Sequence, residues 1–192
     1  MPDPSTTSPE PPERASAEPP ERVRAEPVER RVWREPTFEF MKPRLSRWIA
    51  LGFGSGLAPA APGTFGTLFA WLAFAVLDPF LWDAAWWAVI AVSFAIGVWA
   101  CERTGRDLGV FDHSGMVWDE VVAFWAVLLL VPSGFASQLA AFFLFRAFDV
   151  IKPPPIRHVD RTVKGGFGVM FDDVIAAFYT VLVFALGTKV FG

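Results

Sequence analysis

The chain has 192 residues, enough for one domain of ordinary size, and 53% of them are hydrophobic, including nine Trp and 20 Phe. A net charge of −3, with no basic stripe among interleaved aromatic residues, argues against a nucleic-acid-binding protein. The single cysteine, Cys101, excludes an internal disulfide.

The first segment, residues 1 to about 45, differs in composition from the rest of the chain. It holds ten of the 17 prolines, together with many Glu, Arg, Ser and Thr residues. Such a segment cannot bury enough apolar surface to offset the entropy lost on ordering, so we predict a disordered N-terminal tail. Residues 46–192 are predicted to form a single helical domain.

Five apolar runs alternate with short polar segments in this predicted domain. They are Thr67–Leu81, Ala84–Cys101, Met116–Val131, Phe135–Phe148 and Val174–Val190. None alternates strictly between apolar and polar residues, and each is long enough for a helix. One interpretation is a soluble helical domain with a very apolar core. The other, which we favour because the runs are apolar on all sides, is an all-α membrane protein of about five apolar helices, some of them short or tilted.

The charged residues favour the membrane interpretation. If the tail lies in the cytoplasm, five spans place residues 102–115 and 149–173 on that same side. Of the 19 charged residues from Trp48 onward, only Asp78, Asp83 and Lys189 then lie on the outer side. The others include many carboxylates, which a topology signal does not require. We therefore expect a functional site at the cytoplasmic face.

Four polar clusters are predicted to meet at that face, and the first is rich in glycine. It leads into the first apolar helix, where backbone N–H groups and a helix N-terminus can bind an anion. Small residues before a membrane helix also serve helix packing, and that alternative stays open. The candidate phosphate-binding residues are Gly54, Ser55, Gly56, Gly63 and Thr64.

Two further clusters each place a pair of carboxylates where an apolar helix is predicted to start. The pairs are Asp119-Glu120 and, after a Gly-Gly pair, Asp172-Asp173. Helix capping explains one acidic residue at such a position, but adjacent carboxylates at a membrane helix are costly unless they are paired or metal-bound. Hard cations such as Mg²⁺ prefer carboxylate oxygens. We predict that these four residues hold one or two Mg²⁺ ions, with Asp112 or Asp149 completing the shell.

The fourth cluster combines basic residues with an acid and a proline run. If the chain stays helical there, Arg146 and Asp149 lie three residues apart on one face and can pair. Lys152 extends this face before three consecutive prolines end the helix. Arg146 and Lys152 are candidate clamps for a phosphate group. The alternative is an internal ion pair that leaves Arg146 partly buried.

Three stretches of this sequence together resemble the signature blocks of bacterial phosphatidylglycerophosphatase A: Gly52–Thr67, Val117–Glu120 and Phe145–Asp173. The most specific strings are Arg-x-x-Asp-x-x-Lys-Pro, from Arg146, and Gly-Gly-x-Gly-x-Met-x-Asp-Asp, from Gly165. The resemblance implies a multi-pass helical protein of the bacterial inner membrane with its active site facing the cytoplasm. It also implies Mg²⁺-dependent removal of the terminal phosphate from phosphatidylglycerophosphate, which yields phosphatidylglycerol and inorganic phosphate.

The resemblance and the residues together predict how the site works. Its partners would be a phospholipid substrate and the membrane, and the oligomeric state stays open. A small membrane carrier or ion-binding protein without hydrolase activity is the main alternative, although carriers need polar groups near the bilayer midplane. A soluble helical enzyme with the same chemistry is a third. The predicted catalytic residues are Asp119, Glu120, Asp149, Asp172 and Asp173.

Overall fold

The computed structural model describes residues 35–191, and the regular elements in this range are all helical. Two 3₁₀ segments, Gly52–Leu57 and Asp78–Phe80, flank the third α-helix. The all-α fold class is therefore confirmed for the described part of the chain. The α-helices are α1 (Phe38–Met41), α2 (Leu45–Ala50), α3 (Pro62–Leu77), α4 (Asp83–Leu108), α5 (Trp118–Leu130), α6 (Phe135–Ile151), α7 (Ile156–Thr162) and α8 (Gly165–Phe191).

Each of the five predicted apolar runs corresponds to one of the helices α3, α4, α5, α6 and α8, with shifted boundaries. Helix α3 begins earlier, at Pro62, because proline fits the first helical position. Helix α4 continues to Leu108, where Gly109 adopts the left-handed conformation of a C-cap. Helix α8 already begins at Gly165. The prediction that Asp172 and Asp173 open their helix is therefore wrong, since they lie about two turns inside it.

Within residues 35–191, three segments are long and apolar enough to cross a membrane: Pro62–Phe80, Asp83–Leu108 and Gly165–Val190. They indicate a membrane protein. Helix α5 has 13 residues and α6 has 17, so they extend about 20 and 26 Å, less than the roughly 30 Å of a hydrocarbon core. The predicted number of five spans is not confirmed.

The outward faces of the long helices are apolar and exposed. Leu72 of α3 is 65% exposed, Val92 of α4 is 59% exposed and Phe178 of α8 is 62% exposed. Exposed apolar surface of this extent marks a contact with lipid or with another protein rather than with water. The outer surface of the bundle therefore agrees with a location in the bilayer.

Helix α5 lies at the centre of the bundle, packed against α3, α4 and α8. Every residue from 118 to 125 is buried. The indole N–H of Trp125 donates to the carbonyl oxygen of Ala70 at 2.9 Å, and that of Trp118 donates to the carbonyl oxygen of Ser93 at 3.1 Å. Both buried indoles are thus satisfied by neighbouring helices, which fixes the rotation of α5 about its axis.

The folded domain begins before residue 45, the predicted end of the tail. Helix α1 buries Phe40 and Met41, and α2 packs against α4, where Arg47 forms a 3.1 Å ion pair with Asp107. The prediction of disorder is therefore wrong for residues 38–45, because the apolar side chains of Phe40 and Met41 pack in the core. Residues 1–34 lie outside the described range, so the predicted disorder of that part stays a prediction.

The Gly-Gly pair at 165–166 lets α8 approach α4 closely. A Cβ atom at Gly166 would collide with the carbonyl oxygen of Val98 and would lie 2.6 Å from the backbone nitrogen of Glu102. The N–H of Gly166 donates to the Glu102 carboxylate at 2.7 Å, so a side chain of α4 caps the N-terminus of α8. The Gly-Gly pair thus forms a capped helix start that is packed against α4.

Replacing Gly166 by alanine should lower the thermal stability of the purified protein in detergent. We expect a loss of about 1–3 kcal/mol, since the new methyl group has no free space. Gly187→Ala is the matched control, because no atom lies within 4 Å of a Cβ there. It should be neutral or slightly stabilising. Equal unfolding temperatures for the two variants would contradict the close packing of α4 and α8.

Candidate active site

One cavity of about 280 Å³ collects residues from five parts of the chain. The first turns of α3 and α5, the last turns of α6, the third turn of α8 and the loop before α5 all open into it. The polar clusters that are far apart in sequence therefore meet at one end of the helical bundle. The cavity contains the predicted residues Gly63, Asp112, Asp119, Glu120, Arg146, Asp149, Lys152, Asp172 and Asp173.

Three carboxylates form the most closely spaced group in this cavity. Ligand atoms of Asp119, Glu120 and Asp173 all lie within 4.8 Å of one another. The three residues are 9%, 8% and 2% exposed. Helix α5 supplies adjacent residues from its first turn, and α8 supplies the third because Asp173 lies well inside that helix.

The acidic triad, as we call Asp119, Glu120 and Asp173, is not neutralised by the part of the chain that the structure describes. One oxygen of each carboxylate is buried there without a hydrogen-bond partner. Within the described residues, Glu120 of the triad forms a long ion pair of 3.4 Å with Arg146. Three buried carboxylates with one distant cation are strongly disfavoured unless a positive charge joins them. Unpartnered, converging carboxylate oxygens fit a hard divalent cation such as Mg²⁺.

Arg146 lies between the acidic triad and the rest of the cavity. It donates to Asp149, one turn further along α6, at 2.7 Å. Its Nε atom is buried without a hydrogen-bond partner in the described chain. The predicted ion pair with Asp149 is therefore present, and a further donor remains available for an anion.

Lys152 is a second basic residue that lines the cavity. It follows α6 in a left-handed backbone conformation, with φ of 45°. Its ammonium group donates to Asp172 at 2.6 Å and to Asp160 at 2.9 Å. Asp172 was predicted as a metal ligand together with Asp173, but in this arrangement its partner is Lys152 and it lies outside the acidic triad.

The charge of Lys152 is fixed by its surroundings. Burial by itself would lower the pKa of the ammonium group, but the hydrogen-bonded carboxylates of Asp172 and Asp160 outweigh burial and raise its pKa above the usual range. Because the folded pKa lies above the unfolded value, the stabilisation is complete below the unfolded pKa and is lost only as pH rises through the folded pKa. Lys152 is therefore a permanent cation at neutral pH.

The glycine-rich cluster contributes less to the cavity than predicted. Gly63 lies on its wall, where a Cβ would collide with Glu120 and lie 2.7 Å from a guanidinium nitrogen of Arg146. Only glycine thus lets the N-terminus of α3 approach this pair. The other candidates, Gly54, Ser55, Gly56 and Thr64, are not among the residues that line the cavity.

Two of these four residues have evident local contacts. The hydroxyl of Ser55 donates to the carbonyl oxygen of Gly52 at 2.8 Å, which holds the 3₁₀ turn. A Cβ at Gly56 would collide with the carbonyl oxygen of Gly115. In this arrangement Ser55 and Gly56 therefore serve local packing, which was the alternative for these small residues. Their role in phosphate binding stays a prediction.

Sequence reasoning did not find every residue at the site. His113, Ser114 and Met116 line the cavity, and Asp160 is the second partner of Lys152. The first three lie within four residues after Asp112, so their position near a predicted ligand was an available signal. No spacing rule could indicate Asp160, because α7 brings it back to Lys152 after the proline run.

Comparisons with known proteins agree with this geometry. The family model of phosphatidylglycerophosphatase A matches residues 48–188. The chain belongs to the phosphatidylglycerophosphatase A family. The predicted family, and with it the prediction of a phosphatase that acts on a phospholipid, is confirmed. No solved structure matches the chain.

Several curated bacterial proteins are similar over most of their length. Phosphatidylglycerophosphatase A of Haemophilus influenzae is 45% identical over 136 residues, which cover 70% of this chain and 83% of that protein. The Escherichia coli protein of the same name is 44% identical over 129 residues, or 67% and 74% of the two chains. A Bacteroides thetaiotaomicron protein, provisionally named a phosphatidylinositol-3-phosphatase, is 41% identical over 153 residues, or 75% and 94%.

Replacing Lys152 by methionine should destabilise the protein by about 3 kcal/mol, because Asp172, 5% exposed, would lose its cation. Thermal unfolding in detergent measures this loss. Lys164→Met, at an exposed lysine, is the control. A Lys152→Met protein as stable as the control would contradict the ion-pair assignment.

Proposed function

We propose that the cavity hydrolyses the terminal phosphomonoester of phosphatidylglycerophosphate and releases phosphatidylglycerol and inorganic phosphate. The observation that carries this proposal is the acidic triad buried beside Arg146, with one unpartnered oxygen on each carboxylate. A group of this kind attracts a divalent cation, and the adjoining guanidinium attracts an anion. Family membership supplies the class of substrate.

Asp119, Glu120 and Asp173 are the residues that would hold Mg²⁺. When bound, Mg²⁺ neutralises charge on phosphoryl oxygens and lowers the pKa of a bound water molecule. Asp172 is available for this role only when its ion pair with Lys152 opens. Its position supports a role in orienting Lys152 rather than in the primary set of ligands.

The remaining residues of the cavity bind and orient the phosphate. Arg146, held by Asp149, presents its guanidinium group to the phosphate oxygens. Lys152 adds a second fixed positive charge, and Gly63 leaves room for the N-terminus of α3. Asp112 lines the cavity from an exposed loop, outside the acidic triad. We assign Asp112 the role of the general base, which takes a proton from the attacking water.

We further propose that the cavity faces the cytoplasm from a bacterial inner membrane. The basic residues Arg44, Arg47, Arg106 and Arg157 lie near the same helix ends as the cavity. Basic residues concentrate on the cytoplasmic side of membrane proteins. This orientation also suits a charged headgroup, because the cavity lies at the helix ends rather than at the midplane.

Asp173→Asn and Glu120→Gln should each reduce phosphate release from phosphatidylglycerophosphate about 100-fold or more, because each removes a charge from the acidic triad. Both substitutions keep the side-chain shape, so the purified proteins should unfold cooperatively. Asp83→Asn is the control, an exposed carboxylate in the first turn of α4. Release from phosphatidylinositol 3-phosphate, measured in parallel, tests the preference for the headgroup. Near-normal turnover by both triad variants would refute the assignment of this cavity.

A chelator should abolish phosphate release, and added Mg²⁺ should restore it. Mg²⁺ should also raise the unfolding temperature of the wild type, because a ligand at 100 times its Kd stabilises a protein by about 2.7 kcal/mol. Asp119→Asn should lose this metal-induced stabilisation, whereas Asp83→Asn should retain it. Full activity in the presence of the chelator would exclude a metal role for the acidic triad.

A further inference from the structure

We infer that a groove between α3 and α6 receives the glycerol esters and acyl chains of the lipid substrate. This inference rests on the proposed function and extends it to the part of the lipid that does not react. The groove has a volume of about 420 Å³ and opens on the outer surface of the bundle. It is lined by Leu68, Trp71, Leu72 and Ala75 of α3 and by Phe135 and Gln138 of α6.

The groove lies further along two helices, α3 and α6, that also line the catalytic cavity. Gly63 of α3 and Arg146 of α6 line the cavity, and Trp71 and Gln138 lie eight residues further from that end on their respective helices. At 1.5 Å per residue both are displaced by about 12 Å. A lipid whose terminal phosphate contacts Arg146 therefore has its acyl esters and chains at the level of the groove.

The side-chain amide of Gln138 is a polar group with a fixed orientation in this otherwise apolar groove. The indole N–H of Trp71 donates to Oε1 of Gln138 at 2.7 Å. Since this bond fixes the orientation of the amide, the NH₂ group of Gln138 points its donors away from Trp71. Trp71 is itself held by stacking on Phe135 and Phe142, with ring centroids 5.8 and 6.0 Å apart. At about 12 Å from the cavity along the helices, this amide NH₂ group can donate a hydrogen bond to an ester carbonyl oxygen of the lipid.

A second apolar groove, between α4, α5 and α8, is larger but suits the substrate less well. Its volume is about 590 Å³, and its lining residues, among them Ala91, Phe171 and Phe178, are all apolar. Helices α3 and α6 contribute nothing to its wall, although both line the catalytic cavity. The larger groove is lined instead by residues of α4, α5 and α8, two of which also line the catalytic cavity, but it lacks a polar donor such as Gln138, and it provides a control.

The test compares two alanine-to-tryptophan substitutions of the same size. Both alanines are exposed: Ala75 lines the α3–α6 groove, and Ala91 lines the larger groove. Phosphate release is measured for dioleoyl phosphatidylglycerophosphate in mixed micelles and for its deacylated headgroup, glycerophosphoglycerophosphate. Gln138→Met is measured in the same way, and thermal unfolding checks that each variant is folded.

Ala75→Trp and Gln138→Met should each raise KM for the diacyl lipid about fivefold or more, with kcat and the rate on the deacylated headgroup unchanged. Ala91→Trp should match the wild type on both substrates. The inference is overturned if only Ala91→Trp raises KM, if none of the three does, or if Ala75→Trp and Gln138→Met weaken both substrates equally. A wild type that releases phosphate from neither substrate would instead refute the proposed function.

Discussion

The burial of like charges is the constraint on which this structure depends. Asp119, Glu120 and Asp173 converge within 4.8 Å at the end of an apolar bundle, where water cannot screen them. Arg146 approaches this group at 3.4 Å but is shared with Asp149 at 2.7 Å. The cavity therefore retains an excess of negative charge that a cation can neutralise. The same excess holds the guanidinium group of Arg146 beside the place where a phosphate would bind.

The helical scaffold explains how such a costly arrangement is held. Helix α5 is too short to cross a bilayer easily, but its neighbours enclose it and anchor its tryptophans by hydrogen bonds. Its first turn is thereby fixed against α8 and α3. Close packing at Gly63 and Gly166 brings the neighbouring helix ends near enough for their charged groups to share one cavity. Small residues and buried indoles thus provide the rigidity that a charged site requires.

The outer surface of the bundle connects this site to the bilayer. Exposed apolar side chains on α3, α4 and α8 suit lipid, whereas the charged residues of the cavity lie at the helix ends. Helices α3 and α6 contribute both to the cavity and to an apolar groove that lies further along them. An amphiphilic substrate could therefore present its headgroup to Arg146 while its chains remain beside the same two helices. The acyl chains need no tunnel to reach this position, since the groove is open to the outer surface of the bundle.

The sequence by itself determined the helical class, the five apolar runs and the charged residues of the site, because hydrophobic periodicity and motif spacing are local properties of the chain. The resemblance at Arg146–Lys152 and Gly165–Asp173 also identified the family. Helical spacing also predicted the ion pair of Arg146 with Asp149, but only the tertiary structure decided the partners of the other charges. It separated Asp172 from Asp173, brought Asp160 to Lys152 and left Ser55 in a local turn. Partner choice depends on helix rotation and on the return of α7, and both follow from packing between segments that are distant in sequence.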